Sequence, residues 1–535
     1  MLATTLVWSL NVVSFLDVKE AALWLGVLVL ATCGVLFNRN PAPGFRALGP
    51  CWVVLAGAVG LGIAVAPFSS FVWYEGLRLL PLLLLGTLAF DLLQHPAHGI
   101  AIRRSICCAA LCAAILALFQ GAGAMAGVFP RFPHYDQDMY SVFGNEGLLA
   151  GFLAVGLVCL PGAIQSAPSH PRWRTAGLAA AMALLSFTIL MTGSRGALVA
   201  AVAGMCALLM ARAVPPRTAI PALLGMLIAV PFAYCFADLD LWSKWRGLFS
   251  DADVGGNVRR WILGASLSLL GEHPLAGCGL GHFAREIPVW LGHQALLDAR
   301  GANALLTDHA HMDLLEWLCE TGLAGAIGVL WVISSLRFKS PVALCGLISL
   351  AVFSLTHPAF HSAPHALVGV ALYTMNLRNR PEAAACTSRA RGLSIGVAGG
   401  AMAGAAIFFA TVFYPSAVLR RAEDAHLAGG DARADYEAAT RAWGYHPDAH
   451  ESYGIYAYER GDFSLAREHL MRARPGLETG RVYQLLALVA TARGDSAGAC
   501  GWYGACLARW PWNDAIREWL RTNCDAGGAK RMNSG

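Results

Sequence analysis

Charge is what this chain has least of. Only 14% of its 535 residues are Asp, Glu, Lys or Arg, against 56% apolar, and that balance excludes an ordinary soluble globular protein. Other signatures are missing too. The fifteen cysteines include no C-x-x-C pair, which argues against zinc and thioredoxin chemistry. Cys33, Cys107, Cys108, Cys112 and Cys206 fall in apolar runs and act there as small hydrophobes. Gly277-x-Gly279-x-Gly281 has no strand–helix pattern around it and no following Lys, so it reads as a tight turn rather than a nucleotide motif.

What the chain has in quantity is long apolar runs, each near the length that spans a bilayer. Thirteen are expected, at 2–16, 20–37, 49–66, 76–93, 104–120, 146–165, 175–191, 196–211, 218–236, 309–335, 341–360, 363–376 and 393–414. The first has no cleavage pattern after it and is kept in the mature chain. The net charge of +5 matters less than where it sits. Arg39, Arg46, Arg103, Arg104, Arg172, Arg174, Arg212, Arg217, Arg337, Lys339, Arg378, Arg380, Arg389 and Arg391 occupy alternate loops, which are cytoplasmic by the positive-inside rule. The opposite loops are 67–75, 121–145, 192–195, the long 237–308, and 361–365. A polytopic all-α membrane domain over 1–415 follows, with the C-terminal segment outside.

The outer loops carry the chemistry-bearing residues. In Leu306–Leu330 a polar start with His309 and His311 runs into a span, with Asp308 as the expected helix cap. Ionisable groups there are costly unless they line a wet cavity. Read as helical, His309, His311 and Asp313 cannot converge on one ion, so no metal is expected. Arg195, in the short link Met191–Gly196, sits at the surface as a fork of donors suited to a phosphate pair, although headgroup anchoring is the more common explanation of an isolated arginine. Arg259 and Arg260 face the same cavity or are simply solvated. After residue 415 the composition turns charged and Ala-rich. Gly430-Asp431, Gly461-Asp462 and Gly494-Asp495 recur there, with Pro447, Pro475 and Pro511 following. Tyr453, Tyr456, Ala457 and Ala466 show helical spacing. This is the punctuation of a helical-repeat domain over 416–535, resembling tetratricopeptide units. Cys500 can pair with Cys506 or Cys524.

Four spaced motifs carry a family resemblance over roughly residues 20–375: FGNEGLLAGFL from Phe143, TGSRGALVA from Thr192, the Arg259-to-Gly281 stretch, and the histidine helix ending in Glu320-Thr321-Gly322. Together they resemble the superfamily of O-antigen ligases, O-antigen polymerases and protein O-oligosaccharyltransferases. That likeness implies a GT-C-like fold of about 12–13 transmembrane helices and a metal-independent, inverting glycosyltransferase with no cofactor. The catalytic set it implies is His311 as base, with His309 as its rival, and Arg195 and Arg259 on the pyrophosphate. Asn145, Arg260, His309 and Glu320 would bind substrate. Met312 and Gly147 stand where the family usually has Asn, and His357 and His361 where a His and an acidic residue are common.

The implied donor is an undecaprenyl-pyrophosphate-linked glycan in the outer leaflet, and the implied acceptor lipid A core or a protein hydroxyl. The setting is the bacterial inner membrane, with the active site and the C-terminal domain periplasmic. Membrane lipids and a protein bound by the repeats are the other expected partners; nucleic acid is not. A polymerase, or a non-enzymatic polyprenyl-pyrophosphate carrier or flippase, is the alternative. A carrier should show an internal repeat or charges deep in several spans, and neither is evident.

Overall fold

In the computed structural model the described residues are 15–37, 40–66, 69–125, 141, 143–165, 171–236, 254–297, 307, 309–377, 388–442, 446–475, 477, 480–510 and 513–524. Their regular structure is all helical. The first eight principal helices are α1 Phe15–Leu36, α2 Gly49–Val65, α3 Ser69–Leu88, α4 Pro96–Met125, α5 Glu146–Gln165, α6 Pro171–Met191, α7 Arg195–Met210 and α8 Pro216–Phe236. Then come α9 Val254–Glu272, α10 Phe283–Leu297, α11 Asp313–Ser334, α12 Pro341–Ser354, α13 Ala363–Met375 and α14 Ser388–Phe408. Among the described residues eight helices are long and apolar enough to cross a membrane, and α2, α7, α12 and α13 are shorter apolar helices. The chain is an all-α polytopic membrane protein. The first expected span, 2–16, lies outside the described residues.

The bundle is built around α5. Its side chains are buried from Leu149 to Ala163, as expected of a helix apolar on every face. It packs against α4, α7 and α12. Close approach needs small residues where lipid supplies no hydrophobic drive. Gly156 therefore faces Ala110 of α4 at a distance that leaves no room for a Cβ. α6 pairs with α8, α1 with α14, and α11 with α2.

This packing separates two ends. At one end the basic loops meet. Arg103 reaches Ser340 Oγ at 3.4 Å, Arg104 donates to the Ala163 carbonyl and Arg174 to that of Gln165, both at 3.3 Å, and Lys339 meets Gln94 at 3.4 Å. At the other end the start of α5, the start of α7, the approach to α11 and the α12–α13 link come together. The long loop 237–308 is not structureless. Helices α9 and α10 close a small core with the start of α11, through Ile262, Leu269, Phe283, Ile287, Leu315 and Cys319.

The expected boundary at 415 falls inside a rod. α14 continues through a π turn at Phe409–Phe413 into α15, Tyr414–Leu427, with no linker. Six helices follow: α16 Arg433–Ala442, α17 Pro447–Glu459, α18 Phe463–Ala473, α19 Gly480–Ala492, α20 Ser496–Arg509 and α21 Asp514–Asn523. They pack as the pairs α15/α16, α17/α18 and α19/α20, with α21 on α20. The Gly-Asp punctuation has a physical cause. Gly461 and Gly494 take the left-handed conformation after a helix (φ 78° and 73°). Asp462 and Asp495 then cap the next helix by accepting from the Leu465 and Gly498 amides at 3.1 and 2.8 Å. Cys500 and Cys524 form a disulfide, and Cys506 is free and buried. α20 also touches α10, which ties this segment to the loop helices.

Candidate functional site

The histidines do not lie on a helix. α11 begins at Asp313, and His311 has φ 53°, a conformation that breaks the helical path just before it. The expected cap Asp308 lies outside the described residues. His309 and His311 therefore do not diverge around a helix as expected, and the loop sets the directions of their rings. His309 Nδ1 meets Glu316 Oε1 at 3.0 Å, while the Ala310 amide donates to Glu316 Oε2 at 2.8 Å. His311 is half-buried, and its Nδ1 is buried with no hydrogen-bond partner among the described residues. Burial, with the Arg259 charge and His309, lowers its pKa below the usual histidine value, so the ring is neutral at pH 7.

Glu316 and Asp313 hold a second histidine. His361 Nε2 meets Glu316 Oε1 at 3.1 Å and its Nδ1 meets Asp313 Oδ1 at 3.3 Å. Asp313 also accepts from the Ala359 amide (2.8 Å) and the Phe360 amide (3.2 Å), which fastens the α12–α13 link to the start of α11. Both His361 nitrogens face carboxylates, so both carry protons. Burial opposes the charge, but Glu316 and Asp313 outweigh it and hold the pKa up to about 10. The link is held from a third side: Arg78 of α3 donates to the Phe360 carbonyl at 2.8 Å and pairs with Glu75 at 2.6 Å. Lys19 and Glu20 of α1 are buried at the same end, with Lys19 Nζ 5.4 Å from the Phe143 ring centroid.

Glu320 is placed otherwise than a substrate ligand would be. It is buried, and its carboxylate accepts from the Phe283 amide at 3.2 Å, at the start of α10. Its carbonyl accepts from the Gly279 amide at 3.0 Å, and that of Cys319 from Cys278 at 2.9 Å. The glycine turn 277–281 thus lies backbone to backbone against α11. Gly277 (φ 71°) and Gly322 (φ 60°, where α11 kinks) face each other's chains, and a Cβ on either would strike the opposite backbone.

Asn145, Arg195 and Arg259 lie on segments near His357. Asn145 caps α5, its side-chain oxygen accepting from the Leu148 amide at 3.0 Å, so at least part of its role is structural. A Cβ at Gly147 would collide with His357 Nε2, which explains the missing asparagine: the His357 ring fills that space. Gly196, next to Arg195, packs on Thr356 and His357 Nδ1. Burial, then the charges of Arg259 and His311, lower the His357 pKa to about 3. Arg195 is the first residue of α7, where the helix dipole disfavours a cation and favours an anion. Arg259 and Arg260 are exposed on α9. Arg195, Arg259, His309 and His311 are thereby brought to one end of the bundle.

Sequence reasoning missed Glu75, Arg78, Asp313 and Glu316 as members of this cluster. The signal was a Glu-x-x-Arg pair at the mouth of an apolar run, which is costly in lipid unless partnered. His309, Glu316 and His361 each offer a ligand atom within 4.8 Å of the others, a set that can hold a metal ion and differs from the excluded trio of His309, His311 and Asp313. None of the four principal cavities falls here among the described residues; one of about 490 Å3 lies at the basic end.

No curated protein matches the chain. A family model does: residues 180–330 match O-antigen ligase, a stretch that holds Arg195, Arg259, Arg260, both loop histidines, Glu316 and Glu320. The α5 cap, His357 and His361 lie outside the matched stretch and complete the cluster from flanking helices. The chain is a multi-pass membrane protein whose residues 180–330 are similar to the O-antigen ligase family, a likeness that supports ligase-like transfer of glycans in general.

Proposed function

We propose that this protein transfers a glycan from undecaprenyl pyrophosphate to a hydroxyl of lipid A core or of a protein, at the periplasmic face. The observation that carries the reading is the pairing of opposites around His311. A neutral imidazole with an unpartnered nitrogen stands within reach of the Arg259 charge. The acceptor oxygen attacks the anomeric carbon as His311 takes its proton. The bond from that carbon to the pyrophosphate oxygen breaks, and Arg195 and Arg259 neutralise the leaving group. Attack opposite the leaving group inverts the anomeric centre. Glu316, with Asp313 and His361, fixes the loop that carries His311.

Orientation rests on the basic loops meeting at the far end from the histidines. The Cys500–Cys524 disulfide suits an oxidising compartment for the C-terminal helices. Those helices are tetratricopeptide-like in punctuation, and their contact with α10 suits them to present an acceptor or a partner. The carrier reading is less favoured, since the buried charges Lys19, Glu20, Glu75 and Arg78 gather at the histidine end.

The test uses purified full-length protein, a lipid-linked donor, and lipid A core or a hydroxyl-bearing peptide as acceptor. A glycosylated product of inverted configuration is expected. Donor movement between leaflets without a product would establish the carrier instead. In cells, alkaline phosphatase fused after Pro415 should be active and after Arg380 inactive; the reverse would put the site on the wrong side.

A further inference from the structure

We infer that His309, Glu316 and His361 form a site for a divalent cation of the zinc class, where the histidine loop, α11 and the α12–α13 link meet. Each residue offers one ligand atom, and the three atoms lie within 4.8 Å of one another. His309 Nδ1 and His361 Nε2 stand 3.0 and 3.1 Å from the same oxygen, Glu316 Oε1. Ligands of a tetrahedral zinc lie about 3.3 Å apart, since the bonds are roughly 2.0–2.1 Å long. Small shifts therefore seat an ion among the three. The loop makes this possible: α11 starts only at Asp313, so His309 can turn back onto Glu316 in its first turn.

The ligands are held from behind, as metal ligands are. His361 Nδ1 faces Asp313 Oδ1 at 3.3 Å, and Asp313 is itself fixed by the Ala359 and Phe360 amides. A histidine that donates one ring N–H to a carboxylate presents its other nitrogen to a metal in a set tautomer and orientation. Glu316 Oε2 accepts from the Ala310 amide at 2.8 Å, which leaves Oε1 as the ligand oxygen. Two imidazoles and one carboxylate select zinc over magnesium or calcium, which take oxygen ligands. Three protein ligands leave the fourth position to a water or a substrate oxygen. The ion takes the place of the proton between His361 Nε2 and Glu316 Oε1, so one pair of groups serves as an ion pair without it and as ligands with it. His311 is not a member of the set, and the proposed transfer routes no step through the ion.

The test uses the full chain in detergent, without an affinity tag, stripped by a chelator and then titrated with zinc or magnesium while the bound metal is counted. A single zinc per chain should be held tightly, and magnesium should not be held. His309→Ala leaves the Glu316–His361 pair in place and should weaken zinc binding by roughly a hundred-fold or more. Asp313→Asn keeps an oxygen that can accept from the Ala359 amide, and should weaken binding roughly ten- to hundred-fold through His361. His311→Ala should leave zinc binding unchanged. A wild-type chain that holds no zinc would overturn the site. So would undiminished binding by His309→Ala, or an equal loss in His311→Ala. Metal is counted without reference to glycan transfer, so a failure of the transfer reading leaves this result intact.

Discussion

The two ends of this bundle treat charge in opposite ways. At the basic end arginines reach carbonyls and hydroxyls, as Arg103, Arg104 and Arg174 do. At the histidine end charges are buried and answer one another: Glu75 with Arg78, and Asp313 and Glu316 with His361 and His309. Buried charge is tolerated only when paired. A cluster this elaborate fixes geometry where the first end needs only net sign. The difference is one of packing: at one end cations meet neutral acceptors, and at the other buried pairs hold the loop that carries His311 in place.

The sharpest way to break the comparison is to remove a fork of donors at the histidine end. Arg195→Lys or Arg259→Lys should lower transfer roughly a hundred-fold with normal expression, since a point charge replaces a planar fork in the leaving-group site. The same exchange at Arg103 should change little. Full activity in both histidine-end variants would make that end a generic basic surface.

Stability comes next. His361→Ala leaves Asp313 and Glu316 buried without their cation and should cost about 3–5 kcal/mol, read by denaturation in detergent. The sign with pH is set by the raised His361 pKa. Its contribution is fully present below the unfolded value near 6.5 and is lost as pH rises through about 10. The wild-type advantage over His361→Ala should therefore shrink between pH 7 and 10; an advantage that grows there contradicts the assignment.

His311 has the opposite sign. Burial and the Arg259 charge lower its pKa from the usual histidine value, so the base form predominates at neutral pH. The transfer rate should be flat from pH 7 upward and fall only below about 6.5, as protonation begins. A rate still rising between pH 7 and 8 would point to another base. The smallest effect sharpens one packing detail. Gly147→Asn should cost about 1–3 kcal/mol by overpacking against His357, and His357→Ala should relieve it.

Much of the scaffold was legible because bilayer length is a strong constraint. α5 was expected at 146–165 and is found there, bounded by the Asn145 cap. The start of α11 was misplaced because Asp313, a good capping residue by type, uses its carboxylate on the α12–α13 link, 46 residues away in sequence. Arg195, Arg259 and His311 stand in sequence motifs, and the fold brings them to one end of the bundle. Their supports do not stand in one: Arg78 acts on the Phe360 carbonyl 282 positions on, and no local pattern encodes such a contact. The Glu320 side chain looked like a site residue because it shares a motif with His311, yet it secures the glycine turn.

In the proposed reaction His311, in its loop, takes the acceptor proton. The most direct measurement compares His311→Ala and His309→Ala in purified membrane protein, following glycan transfer and lipid-linked donor binding separately. His311→Ala should abolish transfer while donor binding persists. His309→Ala, which removes one partner of Glu316 and leaves His361 in place, should keep measurable transfer. A dead His309→Ala beside an active His311→Ala would make His309 the base instead.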